Sequence, residues 1–267
     1  MHQVGIALSG GGTRGVVHIG VLQALEEHGI FPSIISGTSA GSIVGAMYAH
    51  GYSPAEILAI ASERSLIWMF SLRLPNKGFV RHTFLRKMLN RYVTEKTFEE
   101  LQKPLYVAVA NLNSGKAEIM SSGPLHDVIV ASSSIPVLYE PIHIGNHWYA
   151  DGGLLMNLPV SPIRDLASYI IAVNLIPRKV LAFDEVNTIA GVAARTFNLA
   201  AINTIEPELK YCDIIIEPEA IYQYSRFNFT KIKEMYDIGY QEALKMIPKI
   251  KEEINALQFS GEGHKSE

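Results

Sequence analysis

Cysteine is almost missing from this 267-residue chain: Cys212 is its single representative, so no internal disulfide can form and a reducing compartment fits. Cys212 opens the apolar run to Ile216, a setting that suits a buried, inert thiol better than a reactive one. Long hydrophobic runs are missing too. No stretch of about 18 apolar residues free of charge occurs, which excludes a membrane-spanning helix and leaves peripheral contact as the expected route to a bilayer. The opening residues, MHQVGIALSGGG, hold neither a basic n-region nor an apolar h-region, so no secretory signal is expected. Positive charge is not in excess either: 23 Lys and Arg against 26 Asp and Glu give a net charge of -3. Such a surface offers no field for a phosphate backbone, and nucleic acid is not an expected partner.

What the chain does hold is apolar sequence, 48% of its residues, enough to fill one large core. The expectation is a single domain over residues 1–259, followed by a short polar, disordered tail at 260–267. Val4 to Ser9 reads as a strand ending in glycines, and Val16 to Glu27 as a helix stopped by Gly29. Ser33 to Ser36 and Ala40 to His50 repeat the pair. The order βαβα predicts an α/β fold with a parallel sheet and helices on both faces. Ser53-Pro54-Ala55-Glu56 is a capping box that starts a third helix. Leu66 to Leu72 is an apolar cluster without a clear period, either core or a lid beside the site.

Thr83 to Tyr92 reads as a helix, and Thr97-Phe98-Glu99-Glu100 as a second capping box. Pro104 to Leu112 and Ala117 to Met120 form one predicted hairpin, Pro141 to Ile144 and His147 to Ala150 another. Leu125 to Ser132 is a helix between them. Tyr169 to Leu175 and Cys212 to Ile216 are strands, Glu185 to Ile205 is helical, and Thr230 to Leu257 is a long amphipathic helix in which Pro248 threatens a break.

Three motifs carry chemistry. Ser36-Gly37-Thr38-Ser39-Ala40-Gly41-Ser42 contains Gly-x-Ser-x-Gly at a strand-to-helix turn, where Gly37 and Gly41 allow a close backbone approach and Ser39 becomes a candidate nucleophile. Five residues are too few to stand alone, so context must carry the assignment.

Ser9-Gly10-Gly11-Gly12-Thr13-Arg14-Gly15 lies between the first strand and first helix, where bare N–H groups can hold an anion. A dinucleotide reading lacks the acidic residue at the end of the second strand, where Ser36-Gly37 stands instead. A P-loop reading fails because Val16 rather than Lys follows Gly15. The remaining anion is the oxyanion of acyl transfer, held by N–H groups among Gly11, Gly12 and Thr13; a tight structural turn is the plainer alternative.

Asp151-Gly152-Gly153 places a carboxylate at a strand end. After Asp151 the one remaining histidine is His264 in the polar tail, which argues against a Ser-Asp-His triad. Asp151 can take the proton of Ser39 directly if an apolar setting raises its pKa, so a Ser-Asp dyad is the simplest assignment; an aspartate that merely closes a turn is the alternative. His143 and His147 straddle a predicted hairpin turn, which is poor spacing for a metal, and none is expected.

SGGGTRG, then GTSAG, then ASSSIPVLYEP and DGG together make the chain resemble the patatin-like phospholipase family from Val4 to about Pro159. The resemblance implies a patatin-like, three-layer α/β/α fold with a central, mostly parallel sheet. It implies a glycine-loop oxyanion hole at Gly11, Gly12 and Thr13, supported by Gly10, Arg14 and Gly15. It also implies a serine nucleophile at Ser39 between Gly37 and Gly41, and an aspartate base at Asp151 before Gly152 and Gly153. Pro136 and Tyr139, in the block that shapes the site wall, become candidates for substrate contact. The implied activity is hydrolysis of lipid acyl esters through an acyl-enzyme, with no metal or other cofactor, in a cytoplasmic protein with peripheral membrane contact. A non-catalytic lipid or acyl-group binder with the same fold is the competing class, and a nicotinamide-dependent enzyme a third.

Overall fold

The computed structural model describes residues 3–63, 83–176, 188–226 and 230–262. Leu66 to Leu72 and His264 lie outside them. Among the described residues eight strands form one sheet: β1 (Val4–Leu8), β2 (Ile34–Gly37), β3 (Leu105–Asn111), β4 (Lys116–Met120), β5 (Ile142–Ile144), β6 (His147–Asp151), β7 (Tyr169–Val173) and β8 (Ile214–Ile216). The described helices are α1 (Val16–Glu27), α2 (Ala40–His50), α3 (Pro54–Ala61), α4 (Thr83–Tyr92), α5 (Leu125–Ser132), α6 (Ile189–Leu209) and α7 (Ile232–Glu262). Hydrogen-bonded pairing follows the path β5-β6-β3-β2-β1-β7-β8, and β4 also pairs with β3. Strands β3, β2, β1, β7 and β8 run parallel, while β4, β5 and β6 join antiparallel.

Alternating side chains on β1, β2 and β7 feed two cores, as the pleat of a strand requires. Ile6, Leu8, Ile35, Ile171 and Val173 meet α1 to α5 and α7 on one face. Ala7, Ile34, Ile170 and Ala172 meet α6 and the 158–163 segment on the other. The result is the expected three-layer sandwich with a mixed, mostly parallel sheet. Among the described residues no helix is long and apolar enough to cross a membrane.

Strand β3 sets the geometry of the site. Val107 pairs with both Gly37 of β2 and Met120 of β4, and Val109 pairs with both Glu118 of β4 and Asp151 of β6. Since a strand has two edges, β2 and β6 must share the edge that β4 does not occupy. β2 therefore ends at Gly37 where β6, running the other way, ends at Asp151.

Several local expectations need correction. Thr97 caps no α-helix: only a single 3-10 turn forms at Phe98–Glu100, without a side-chain cap, and Glu100 accepts the Lys96 N–H instead. Pro248 does not break α7; burial of Ile247 and Ile250 on either side offsets the cost of about 3 kcal/mol that an interior proline imposes through its lost hydrogen bond and ring clash. The α7 helix also extends to Glu262, into the start of the polar tail. Cys212 is half-buried rather than buried, its Sγ donating to Leu209 O at 3.2 Å; burial pushes the thiol pKa up, which keeps it unreactive.

Candidate active site

Ser39 sits between β2 and α2 with φ 51° and ψ -122°, a conformation that costs a non-glycine residue about 1–3 kcal/mol. Its surroundings hold it there. Its N–H donates to Ser132 Oγ at 2.9 Å, and Ser132 Oγ donates in turn to Ala108 O at 2.8 Å. Ser42 Oγ donates to Ser39 O at 2.7 Å. A Cβ on Gly37 would lie 2.6 Å from Gly41 O, and one on Gly41 would lie 2.1 Å from Leu8 O. Both glycines of the pentapeptide are therefore required by backbone contact.

Ser39 Oγ donates to Asp151 Oδ2 at 2.7 Å. The other carboxylate oxygen accepts the Gly153 N–H at 2.8 Å. Gly152 is needed because a Cβ there would stand 2.2 Å from Ala108 O. Asp151 is 1% exposed and Ser39 8%. Burial drives the Asp151 pKa up to about 7, against the opposing pull of the Ser39 hydroxyl, the Gly153 N–H and the positive charge of Arg226. A carboxylate poised near neutrality and bonded to a serine hydroxyl is suited to proton transfer. Among the described residues no group of three His, Cys, Asp or Glu could hold a metal ion. His18, on α1, is buried with its Nε2 at 2.8 Å from Ser9 O, and burial lowers its pKa to about 4.

The glycine loop closes the site from the β1 side. A Cβ on Gly10 would lie 3.2 Å from Ser39 Cβ, and one on Gly15 2.7 Å from Ala40 Cβ. Gly12 has φ +61°. Among the described residues nothing engages the N–H groups of Gly11 and Gly12. Thr13 departs from its expected role: its N–H donates to Arg226 O at 2.9 Å and its Oγ1 to Ser225 O at 3.2 Å. The threonine ties two segments together and is not a free oxyanion donor. Arg14 strengthens that tie, its guanidinium donating to the carbonyls of Tyr224 at 2.7 Å and Leu175 at 3.3 Å.

Pro136 and Tyr139 belong to the loop after α5, which is fastened to the dyad because the Asp151 N–H donates to Ser134 O at 2.9 Å. Burial raises the pKa of Tyr139. Sequence reasoning missed three residues. Ser132 stands inside a block already tied to the site wall, so its type and place were visible but not its bond to Ser39. Asn157 is 1% exposed, its Oδ1 fills the space beside Gly10 and Gly153, and its Nδ2 has no partner among the described residues. Arg226 belongs to no motif and sits 187 residues after Ser39 in the numbering.

A sheet that ends a serine and a carboxylate at one edge, with a glycine loop of free N–H groups beside them, defines the class of α/β proteins built around a Ser-Asp pair. Within that class the chain belongs to the patatin-like phospholipase family, whose model matches residues 6–163. It is similar to lysophospholipase NTE1 of Scheffersomyces stipitis, 29% identical over 273 residues, an alignment covering 91% of this chain and 18% of that protein. Lysophospholipase NTE1 of Pyricularia oryzae is 28% identical over 281 residues, covering 94% of this chain and 19% of that protein. The chain thus spans about a fifth of the length of these curated relatives. Among solved structures VipD from Legionella pneumophila shares the fold, with a TM-score of 0.53 at 15% identity over 93% of this chain and 67% of that one.

Proposed function

We propose that this chain is a serine lipid acyl hydrolase in which Ser39 is the nucleophile and Asp151 the base. The observation that carries the reading is the 2.7 Å bond from Ser39 Oγ to a buried Asp151 whose pKa stands near 7. Ser39 Oγ attacks the acyl carbonyl carbon while Asp151 takes its proton. The negative charge that develops on the carbonyl oxygen is held by the N–H groups of Gly11 and Gly12. Collapse breaks the ester C–O bond, and Asp151 returns the proton to the leaving alcohol. Water, deprotonated by Asp151, then attacks the acyl-enzyme; the fatty acid leaves and Ser39 regains its proton.

Names of the relatives support a lysophospholipid as the substrate class, and Pro136 and Tyr139, on the loop that the Asp151 N–H ties to the dyad, are our candidates for substrate contact. In this reading residues 1–259 act as one domain of a cytoplasmic protein that meets membranes at their surface. A lipid binder that had lost chemistry would have no use for a strained serine bonded to a raised carboxylate.

The test is hydrolysis of p-nitrophenyl acyl esters together with labelling by a fluorophosphonate. Ser39→Ala and Asp151→Asn are each expected to lower kcat by roughly a thousandfold or more, with Ser39 labelled in the unaltered chain. Activity close to that of the unaltered chain in either variant would refute the dyad.

A further inference from the structure

Arg226 is carried to the glycine loop by four tethers that begin on the loop itself. Thr13 N–H donates to Arg226 O, Thr13 Oγ1 to Ser225 O, and Arg14 to the carbonyls of Tyr222 and Tyr224. Contact with the loop is direct: a Cβ on Gly12 would lie 2.5 Å from Arg226 O and 3.2 Å from Arg226 Cβ. The half-buried Arg226 side chain makes no hydrogen bond and no ion pair among the described residues. Its neighbouring charges are Arg14, which repels it, and Asp151, which attracts it. Arg14 spends its own donors on backbone carbonyls.

The carboxylate that attracts Arg226 is already bonded to Ser39 and Gly153 and is close to half protonated at neutral pH. A guanidinium stays charged throughout and is best matched by a planar or tetrahedral oxyanion. Leaving such a charge unpaired away from bulk water is unfavourable unless a ligand completes it.

Resting on the hydrolase reading above, we propose that Arg226 is a specificity-determining residue, whose guanidinium takes the phosphate of a phosphodiester head group and so favours phosphate-bearing acyl esters over neutral ones. In a glycerophospholipid the phosphorus stands a few bonds from the scissile carbonyl, and the Arg226 backbone is bonded to Thr13 of the loop that receives that carbonyl.

The experiment compares 1-palmitoyl lysophosphatidylcholine with 1-palmitoylglycerol, each presented in the same non-ionic detergent micelles to the full chain and to Arg226→Gln and Arg226→Lys. The unaltered chain is expected to prefer the phosphate-bearing lipid in kcat/KM. Arg226→Gln is expected to lower that preference by roughly tenfold to hundredfold, mainly through KM, the scale of a charge-assisted hydrogen bond. Arg226→Lys should restore part of it. A preference unchanged by Arg226→Gln, including one in which both rates fall together, overturns the proposal and leaves the arginine a role in loop or oxyanion geometry. Fluorophosphonate labelling separates the two readings. A labelled Ser39 without preference for the lysophospholipid refutes the role of Arg226 alone, whereas an unlabelled Ser39 with neither lipid turned over refutes the hydrolase reading as well.

Discussion

Asp151 shows how much one residue's environment decides. An exposed aspartate is ionised far below neutrality and is a weak base; burial lifts this one to about 7, close to the value at which general-base catalysis is most effective. The base must be ionised to accept the Ser39 proton, so kcat/KM for a neutral ester is expected to rise with pH and pass half of its maximum near pH 7. A pH-rate profile flat from pH 5 to 8 would remove Asp151 from that role. Stability should run the opposite way. A folded-state pKa above the unfolded value favours the protonated carboxyl in the fold, so its stabilising contribution is present at low pH and is lost as pH rises through about 7. Asp151→Asn removes that ionisation, and its melting temperature is expected to gain on the parent's between pH 5 and pH 8 in a thermal-shift series.

At the scale of the element, the turn between β2 and α2 is a packing solution before it is a catalytic one. The chain leaves β2, reverses at Ser39 and enters α2 so close to β1 that Gly41 meets the Leu8 carbonyl. Gly41→Ala places a methyl 2.1 Å from Leu8 O, where backbone must shift. The expected outcome is a melting temperature lower by roughly 5–10 °C and much slower fluorophosphonate labelling of Ser39. Gly29 is a useful contrast, since it has φ +79° but nothing within 4 Å of an added Cβ. Gly29→Ala should cost only the conformational strain of about 1–2 kcal/mol and leave labelling intact.

Across the whole molecule, the long α7 returns to cover α1, and the two backbones come together through glycine. A Cβ on Gly20 would lie 2.1 Å from Tyr236 O, and one on Gly239 would lie 2.2 Å from Val17 O. This contact joins the chain's last described helix to the helix that follows the glycine loop. Gly20→Ala is expected to push the helices apart and lower the melting temperature by about 5 °C or more, while the pH midpoint of activity stays in place. A shift of that midpoint would mean that the α1–α7 contact tunes the dyad rather than only bearing it.

Much was legible in the amino-acid order, and for a common reason: it was local. The alternation of apolar runs and helix-period segments, the glycines around Ser39 and the capping box at Ser53 each act within a few residues. Backbone sterics and nearest-neighbour hydrogen bonds decide them wherever the segment lies. The same locality misled at Thr97 and Pro248, where tertiary contacts overrode cap and breaker signals. What only the tertiary structure decided is which distant groups meet. Asp151 reaches Ser39 because β2 and β6 share one edge of β3, Thr13 loses its N–H to a carbonyl more than 200 residues away, and Arg226 joins a loop with which it has no sequence relation. Such pairings depend on strand order and on surface buried between remote segments, and no short window of sequence carries either.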